Sequence, residues 1–312
     1  MYLYVIEGEA DRNRSGKKGY VISLRGNMTG KSTRELTTME KPILLESMNG
    51  GIARLVLNRP SARNSLSLDM IAALHEAVDR LGEDVSVRVI VITAEGPAFC
   101  AGHDLKEISS ARANDDRGYA FFTRTMESCA AMMQAIVRCP KPVIAGVRGV
   151  ATAAGCQLVA SCDLAIAGEE SGFATPGVNI GLFCSTPMVA VSRNVPKKRV
   201  MEMLLGGEMI DAPTAADWGL VNTVVPTADL EEAVMGLARS IASKSAATLK
   251  IGKEAFYRQA EMPLEEAYRY TAQVMVENML EHDAEEGINA FIEKRKPIWE
   301  DPAKRAGTDA AE

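Results

Sequence analysis

The chain has 312 residues, of which 47% are hydrophobic and 24% charged, with a formal net charge of -6. That is enough apolar material to bury a sizeable core in one large domain or two modest ones. The acidic balance argues against a dedicated nucleic-acid or anionic-membrane binder, and no apolar run reaches the roughly 18 residues that span a bilayer.

Residues 1–40 differ from the rest. They hold seven Lys/Arg and five Asp/Glu, turn rich in Gly, Ser, Thr and Asn after Gly16, and show no helical apolar period. This reads as a flexible N-terminal extension, and a chain begun at Met39 would run directly into the globular part. A mitochondrial transit peptide is the rival reading, and Glu7, Glu9 and Asp11 weigh against it. Tyr20-Val-Ile-Ser-Leu24 has the pattern of a strand and is followed by Gly30-Lys31-Ser32. A phosphate-cradling loop needs glycine five residues before Gly30, where Arg25 stands.

After Met39 the pattern alternates. Ile52–Leu57 reads as a half-buried strand, and 68–81 as a helix with Met70, Leu74, Ala77, Val78 and Leu81 on one face. Strands follow at 87–93, 142–147 and 163–167, with a helix at 123–137. From Lys197 the chain is mostly helical, over 197–206, 212–218, 229–243, 245–259, 264–281 and 283–294. Alternating strands and helices followed by helices alone predict an α/β core with an α-helical C-terminal region.

Six cysteines (Cys100, Cys129, Cys139, Cys156, Cys162 and Cys184) form no CxxC pair and lie in apolar surroundings. They read as buried, reduced thiols, which fits a cytoplasmic protein, or the mitochondrial matrix in a eukaryote. The three histidines, His75, His103 and His282, make no Cys/His cluster at ligand spacing, so no metal site is expected.

Two segments carry candidate chemistry. In Gly96-Pro-Ala-Phe-Cys-Ala-Gly-His-Asp-Leu-Lys106 a strand leads through small residues to a helix that Asp104 is placed to cap. In Gly146-Val-Arg-Gly-Val-Ala-Thr-Ala-Ala-Gly-Cys-Gln-Leu158 the same progression recurs. A helix start offers unpaired N–H groups. Two such turns facing one point make a pair of backbone donors suited to the oxyanion of a thioester carbonyl.

The order and wording of these segments resemble the crotonase (enoyl-CoA hydratase/isomerase) superfamily over about residues 41–298. The resemblance is carried by Leu57-Asn-Arg-Pro-Ser-Ala-Arg-Asn-Ser-Leu66, Phe99–Lys106, Ala153–Asp163, Phe173-Ala-Thr-Pro-Gly177, Ala216-Asp-Trp-Gly-Leu-Val221 and Gly287-Ile-Asn-Ala-Phe-Ile-Glu-Lys-Arg295. Thr152-Ala-Ala-Gly-Cys-Gln157 and Gly181-Leu-Phe-Cys-Ser-Thr-Pro187 match one branch of that family more closely.

The resemblance implies a crotonase-like ββα spiral core over 41–196, a helical trimerisation region over 197–298, and a tail over 299–312. It implies an acyl-CoA or enoyl-CoA substrate, with coenzyme A carried by the substrate and no separate cofactor, and a homotrimer or a hexamer of two trimers. The oxyanion hole would be the backbone N–H groups of His103 and Ala154. Ser61, Ala62 and Arg63 would grip CoA, while Ala101, Asp104 and Leu105 line its channel. Phe291 and Lys294 would approach the CoA phosphate, often from a neighbouring subunit.

Family hydratases deliver water with two glutamates, one taking a proton while the other gives one. The matching positions here are Gln157 and Gly177, neither of which titrates. Gln157 is open to two roles, orienting a water or serving as a hydrogen-bonded amide at a helix start. His103 reads as a partly exposed rim residue, with acid/base action by its ring as the alternative. Cys184 reads as a buried structural thiol, with Ser185 beside it. The two functional readings are therefore an enzyme acting on acyl-CoA thioesters and a non-catalytic acyl-CoA binder.

Overall fold

The computed structural model describes residues 10–12, 18–20 and 41–300. The chain divides into two units, Met1–Pro42 and Ile43–Glu312. In the first, β1 (Ala10–Arg12) pairs antiparallel with β2 (Lys18–Tyr20). The rest of the expected extension, the Gly30-Lys31-Ser32 segment and the tail beyond residue 300 lie outside the described residues.

From Ile43 the chain runs through β3 (Leu44–Asn49), β4 (Ile52–Leu57) and α1 (Leu68–Glu83) into three strand–strand–helix units. The first is β5 (Val89–Ala94) and β6 (Ala98–Cys100), with α2 (Leu105–Ala111) and α3 (Tyr119–Arg138). The second is β7 (Val143–Val147), β8 (Val150–Thr152) and α4 (Ala154–Ser161). The third is β9 (Leu164–Gly168), β10 (Gly172–Ala174) and α5 (Ser185–Val191). Then come α6 (Lys197–Gly206), β11 (Ile210–Asp211), α7 (Ala212–Asp217), β12 (Thr223–Val225), α8 (Leu230–Ala242), α9 (Ala246–Gln259), α10 (Leu264–Met279) and α11 (His282–Glu293).

Within each unit the first strand joins a six-stranded sheet, ordered β12-β9-β7-β5-β4-β3. The second joins a four-stranded sheet, ordered β11-β10-β8-β6. Pairing is parallel except at β3–β4 and β10–β11. Alternating between two sheets in this way winds the chain as the expected ββα spiral.

The larger sheet is covered on both faces. Leu55, Ile90, Ile92 and Ala145 face the main core with α1, α3 and α4. Val89, Val91, Ile144 and Ile166 face Leu230, Val234 and Ala238 of α8. Alternate residues of one strand thus enter different cores, as the two-residue period of a strand requires. This corrects the half-buried reading of Ile52–Leu57: five of its six residues are buried, and only Arg54 is partly exposed. The helix over 68–81 follows its expected face, with Met70, Leu74, Ala77, Val78 and Leu81 all buried, and Ser67 caps it by accepting from the Met70 N–H.

A buried ionic cluster ties the C-terminal helices to the core. Lys253 on α9 lies 2.7 Å from Asp163 at the head of β9 and also donates to the carbonyls of Ile136 and Lys141. The Tyr257 hydroxyl donates to the other Asp163 oxygen at 2.9 Å, and the Val143 N–H completes the set. Every polar group of the pair is used, which is the condition under which a buried ion pair is tolerated. Replacing Lys253 by Met strands the Asp163 carboxylate and is expected to lower unfolding stability by about 3–5 kcal/mol. Urea unfolding checks this, and a loss below about 1 kcal/mol would show that the cluster is solvated.

Candidate active site

Both strand-to-helix turns sit at the C-terminal ends of short strands of the smaller sheet, and their backbones touch. Gly155, in the first turn of α4, lies so close to β6 that an added Cβ would stand 2.1 Å from the Cys100 carbonyl oxygen. Gly102 has φ +89°, and a Cβ there would lie 3.0 Å from the Ala153 Cβ and 3.5 Å from the Ala154 nitrogen. A side chain at Gly155 would force the turns apart, and one at Gly102 would be strained by the positive φ and tight against Ala153.

The chain around His103 is pinned from one side. The Leu66 N–H donates to the Gly102 carbonyl at 2.8 Å, and the Asp104 N–H donates to the Leu66 carbonyl at 3.1 Å. Successive N–H groups of an extended chain point to opposite edges, so the His103 N–H faces away from Leu66. Across from it, Ala153 adopts φ 50° and ψ -117°, a conformation that strains a residue with a Cβ. Its N–H donates to the Ala174 carbonyl at 2.9 Å, and its carbonyl accepts from the Gln157 N–H at 3.0 Å. The Ala154 N–H then starts α4 without a helical acceptor. Among the described residues, neither the His103 nor the Ala154 N–H donates to a protein acceptor.

Asp104 caps α2 as expected, accepting from the Lys106 N–H at 3.0 Å. It also meets Arg59 at 3.2 Å and the Ser65 hydroxyl at 3.3 Å. Burial alone would raise its pKa, but the Lys106 amide and the Arg59 guanidinium hold the carboxyl below its ordinary value. Ser61 and Ala62 lie in a single 3-10 turn, Pro60–Ala62, which ends on Arg63 in the left-handed conformation. The Arg63 carbonyl accepts from the Ala101 N–H at 3.1 Å, which brings Ser61–Arg63 beside Ala101, His103 and Asp104. Leu105 is exposed at the start of α2. Phe291 and Lys294 are also exposed, at the end of α11, which packs on α9 and α10.

Buried polar atoms gather around the turns. Both ring nitrogens of His103, the Gln157 side-chain oxygen and the Thr175 hydroxyl are buried without a hydrogen-bond partner. His103 as a whole is partly exposed, as its reading as a rim residue expects, while both of its ring nitrogens lie inside. Burial pushes its pKa down, while the Leu66 carbonyl pulls weakly the other way without making a hydrogen bond. Thr175 was not singled out from the sequence, nor were Arg59, Asn64 and Ser65, although the last three lie inside the Leu57–Leu66 motif.

Gly177 offers no room for a longer side chain. A Cβ there would lie 2.8 Å from the Leu182 carbonyl oxygen and 2.9 Å from the Cys184 sulfur. Burial pushes the Cys184 thiol up, opposed by the Gly177 amide, and pushes the neighbouring Cys156 up to about 12. All six cysteines are buried and free. Among the described residues no group of His, Cys, Asp and Glu could hold a metal ion, and no helix is long and apolar enough to cross a membrane.

The depressed His103 pKa has a consequence for stability. Below the ordinary histidine value of 6.5 the unfolded chain takes a proton that the folded chain resists. Stability therefore falls as pH drops from about 6.5 toward the folded pKa. Urea unfolding at pH 5 and pH 7.5 is expected to show a smaller acid loss for His103→Gln than for the wild type. Equal losses would place the ring in solvent.

The chain is similar in sequence and fold to known proteins. A family model described as enoyl-CoA hydratase/isomerase matches residues 47–302. The Homo sapiens enoyl-CoA hydratase domain-containing protein 3, mitochondrial, is 48% identical over 249 residues, covering 80% of each chain. Its Danio rerio counterpart is 43% identical over 282 residues, covering 90% of this chain and 93% of its own. Among solved structures, an enoyl-CoA hydratase from Mycobacterium smegmatis superposes with a TM-score of 0.80 at 48% identity, covering 83% of this chain and 99% of its own. The human domain-containing protein 3 superposes with a TM-score of 0.79 at 46% identity, covering 83% and 100%. The chain belongs to the enoyl-CoA hydratase/isomerase family.

Proposed function

We propose that the protein binds acyl-CoA thioesters with the carbonyl oxygen between the His103 and Ala154 N–H groups, and stabilises an enolate-like anion there. The observation that carries this reading is the pair of undonated amides on two touching turns. Preorganised donors of this kind gain most when charge develops on the oxygen, because they need no reorganisation in a dry site. CoA enters as part of the substrate, gripped by Ser61, Ala62 and Arg63 and passing along Ala101, Asp104 and Leu105. Where the source is eukaryotic, the mitochondrial names of the relatives favour the matrix over the cytoplasm.

Calorimetry with acetoacetyl-CoA tests the binding. His103→Ala keeps the N–H and is expected to keep most of the affinity, whereas His103→Pro removes the donor and is expected to lose it. Absence of wild-type binding at millimolar ligand would refute the reading.

Catalysis is a separate matter. A positioned acid or base contributes roughly 10²–10⁴-fold, and neither Gln157 nor Gly177 titrates. One oxyanion donor is worth about 10²–10³-fold by itself. Hydration of crotonyl-CoA is therefore expected to be weak, and Gln157→Glu is expected to raise it. Gly177→Glu is not, since the Leu182 carbonyl and the Cys184 sulfur occupy its path. A wild-type turnover equal to ordinary hydratases would mean that another acid/base pair operates. No detectable turnover in either the wild type or Gln157→Glu would favour the second reading, a non-catalytic acyl-CoA binder, which the same two positions support.

We further propose a trimer or a pair of trimers. The C-terminal helices expose a large apolar surface that includes Leu264 at 76%, Tyr268 at 71%, Leu280 at 83% and Phe291 at 84%. Patches of this kind mark interaction sites. On a neighbouring subunit such a surface would also give Phe291 and Lys294 a route to CoA. Light scattering at micromolar concentration is expected to give a trimer mass or a multiple of it; a stable monomer would contradict the assembly.

A further inference from the structure

Ala153 breaks two local rules at once. It holds the capping position of α4, yet no side chain caps the helix there. Alanine is among the poorest residues for that position, where serine, threonine, aspartate, asparagine and glycine are favoured. Its backbone is also unusual. Arg63 and Lys294 have similar positive φ, but with ψ of 37° and 38° they sit in the ordinary left-handed basin. Ala153 combines φ 50° with ψ -117°. Those angles are close to the mirror image of the first central position of a type II turn, where glycine dominates. A Cβ makes them strained, and such strain persists only where the surroundings enforce it. Positions where local rules fail together are expected at functional sites.

Both backbone polar groups of Ala153 are engaged. Its N–H donates to the Ala174 carbonyl at 2.9 Å, and its carbonyl accepts from the Gln157 N–H at 3.0 Å. Glycine would keep both bonds without strain, and serine or aspartate would add a cap. What alanine supplies that glycine lacks is a methyl group. Ala153 is partly exposed and packs against the main core. Its methyl lies beside Gly102, where an added Cβ would stand 3.0 Å from it. It therefore sits between the two turns. The Ala153 carbonyl and the Ala154 N–H belong to one trans peptide and point in opposite directions. With the carbonyl turned along α4 to Gln157, the Ala154 N–H points out of the helix start. Rotation of this peptide swings the N–H, and a methyl held between the core and Gly102 fixes the Cα about which it rotates.

We propose that Ala153 is a positioning residue of the carbonyl site: its methyl, held between the core and Gly102, sets the direction of the Ala154 N–H, and the chain tolerates backbone strain and an uncapped helix to keep it. The proposal rests on the acyl-CoA reading above and gives Ala153 a role exercised through the Ala154 N–H. Glycine at 153 relieves the strain, and at this φ the relief outweighs the added freedom of the unfolded chain. It also lets the peptide move, so the donor has to be ordered as charge develops on the oxygen, and the advantage of a preorganised donor shrinks. Stability and anion stabilisation are thus expected to change in opposite directions. A methyl that only packs would lower stability when removed and leave the anion unaffected.

The probe is acetoacetyl-CoA, which loses a proton to solvent from the carbon between its two carbonyls and becomes an enolate with a distinct near-ultraviolet absorbance. Donors on the oxygen lower the pH at which the bound ligand does so. Spectrophotometric titration is expected to give a lower enolisation pH on the wild type than in buffer. On Ala153→Gly that pH is expected to rise by roughly 0.5, about a threefold loss of anion stabilisation. Urea unfolding of the same variant is expected to give a midpoint no lower than that of the wild type. Ala153→Ser keeps the Cβ and is expected to titrate closer to the wild type than to Ala153→Gly. An unchanged enolisation pH in Ala153→Gly, a lowered urea midpoint, or a serine variant that titrates like glycine overturns the inference and leaves the acyl-CoA reading standing. A wild type that fails to bind acetoacetyl-CoA, or that leaves its enolisation pH as in buffer, overturns that reading and this inference with it.

Discussion

Two backbone turns touch where side chains would hold them apart, and the site is organised around that contact. The carbonyl oxygen of Cys100 lies 2.1 Å from where a Cβ of Gly155 would stand, and Gly102 packs closely, though less tightly, against Ala153. Each turn belongs to a different strand–strand–helix unit, so the contact joins consecutive windings of the spiral. The strained Ala153 conformation, the exit of α4 and the orientation of the Ala154 N–H depend on it. The hydrogen bonds with Leu66 secure the other partner, and the partly buried Arg59–Asn64–Asp104 network secures the loop that carries Leu66. The larger sheet, covered on both faces, is the rigid floor that keeps these turns in place.

The sequence made the larger features legible because they have length. The helices from Lys197 onward carry enough turns for a period to show, and their bounds agree with the structure to within about two residues. The three-residue strands β6, β8 and β10 were not legible as strands. Three residues show no period, and these lie in small-residue runs that also read as turns. The edge strand β3 lacks apolar alternation because four of its six residues face solvent. Helix α5 lies behind a 3-10 turn and contains Pro187, so it carries neither a clear start signal nor a long repeat.

At the site, wording alone brought the His103 and Ala154 segments together, and the structure places them in contact. What the wording did not disclose is the state of the polar atoms. Whether a glutamine at position 157 is a satisfied amide or an unsatisfied one depends on neighbours distant in sequence. Thr175 gave no signal for the same reason. Asn64 and Gln157 look alike as letters; the structure shows the first fully bonded and the second open. The absence of a carboxylate at 177 also takes on a different meaning. The Leu182 carbonyl and the Cys184 thiol fill the space, so the local chain is shaped for glycine and a glutamate would have to displace it.

Polarisation of a thioester carbonyl by two backbone donors is the central claim of the proposed function. The most direct measurement is the carbon-13 NMR shift of a butyryl-CoA labelled at the thioester carbonyl, free and bound to the protein. Hydrogen bonding to the oxygen withdraws electron density from that carbon. A downfield shift on binding is therefore expected, and it is expected to persist in His103→Ala and Gln157→Met. A bound thioester whose carbonyl resonance stays at its position in water would contradict it, because the oxygen would then meet no better donors in the site than it does in solvent.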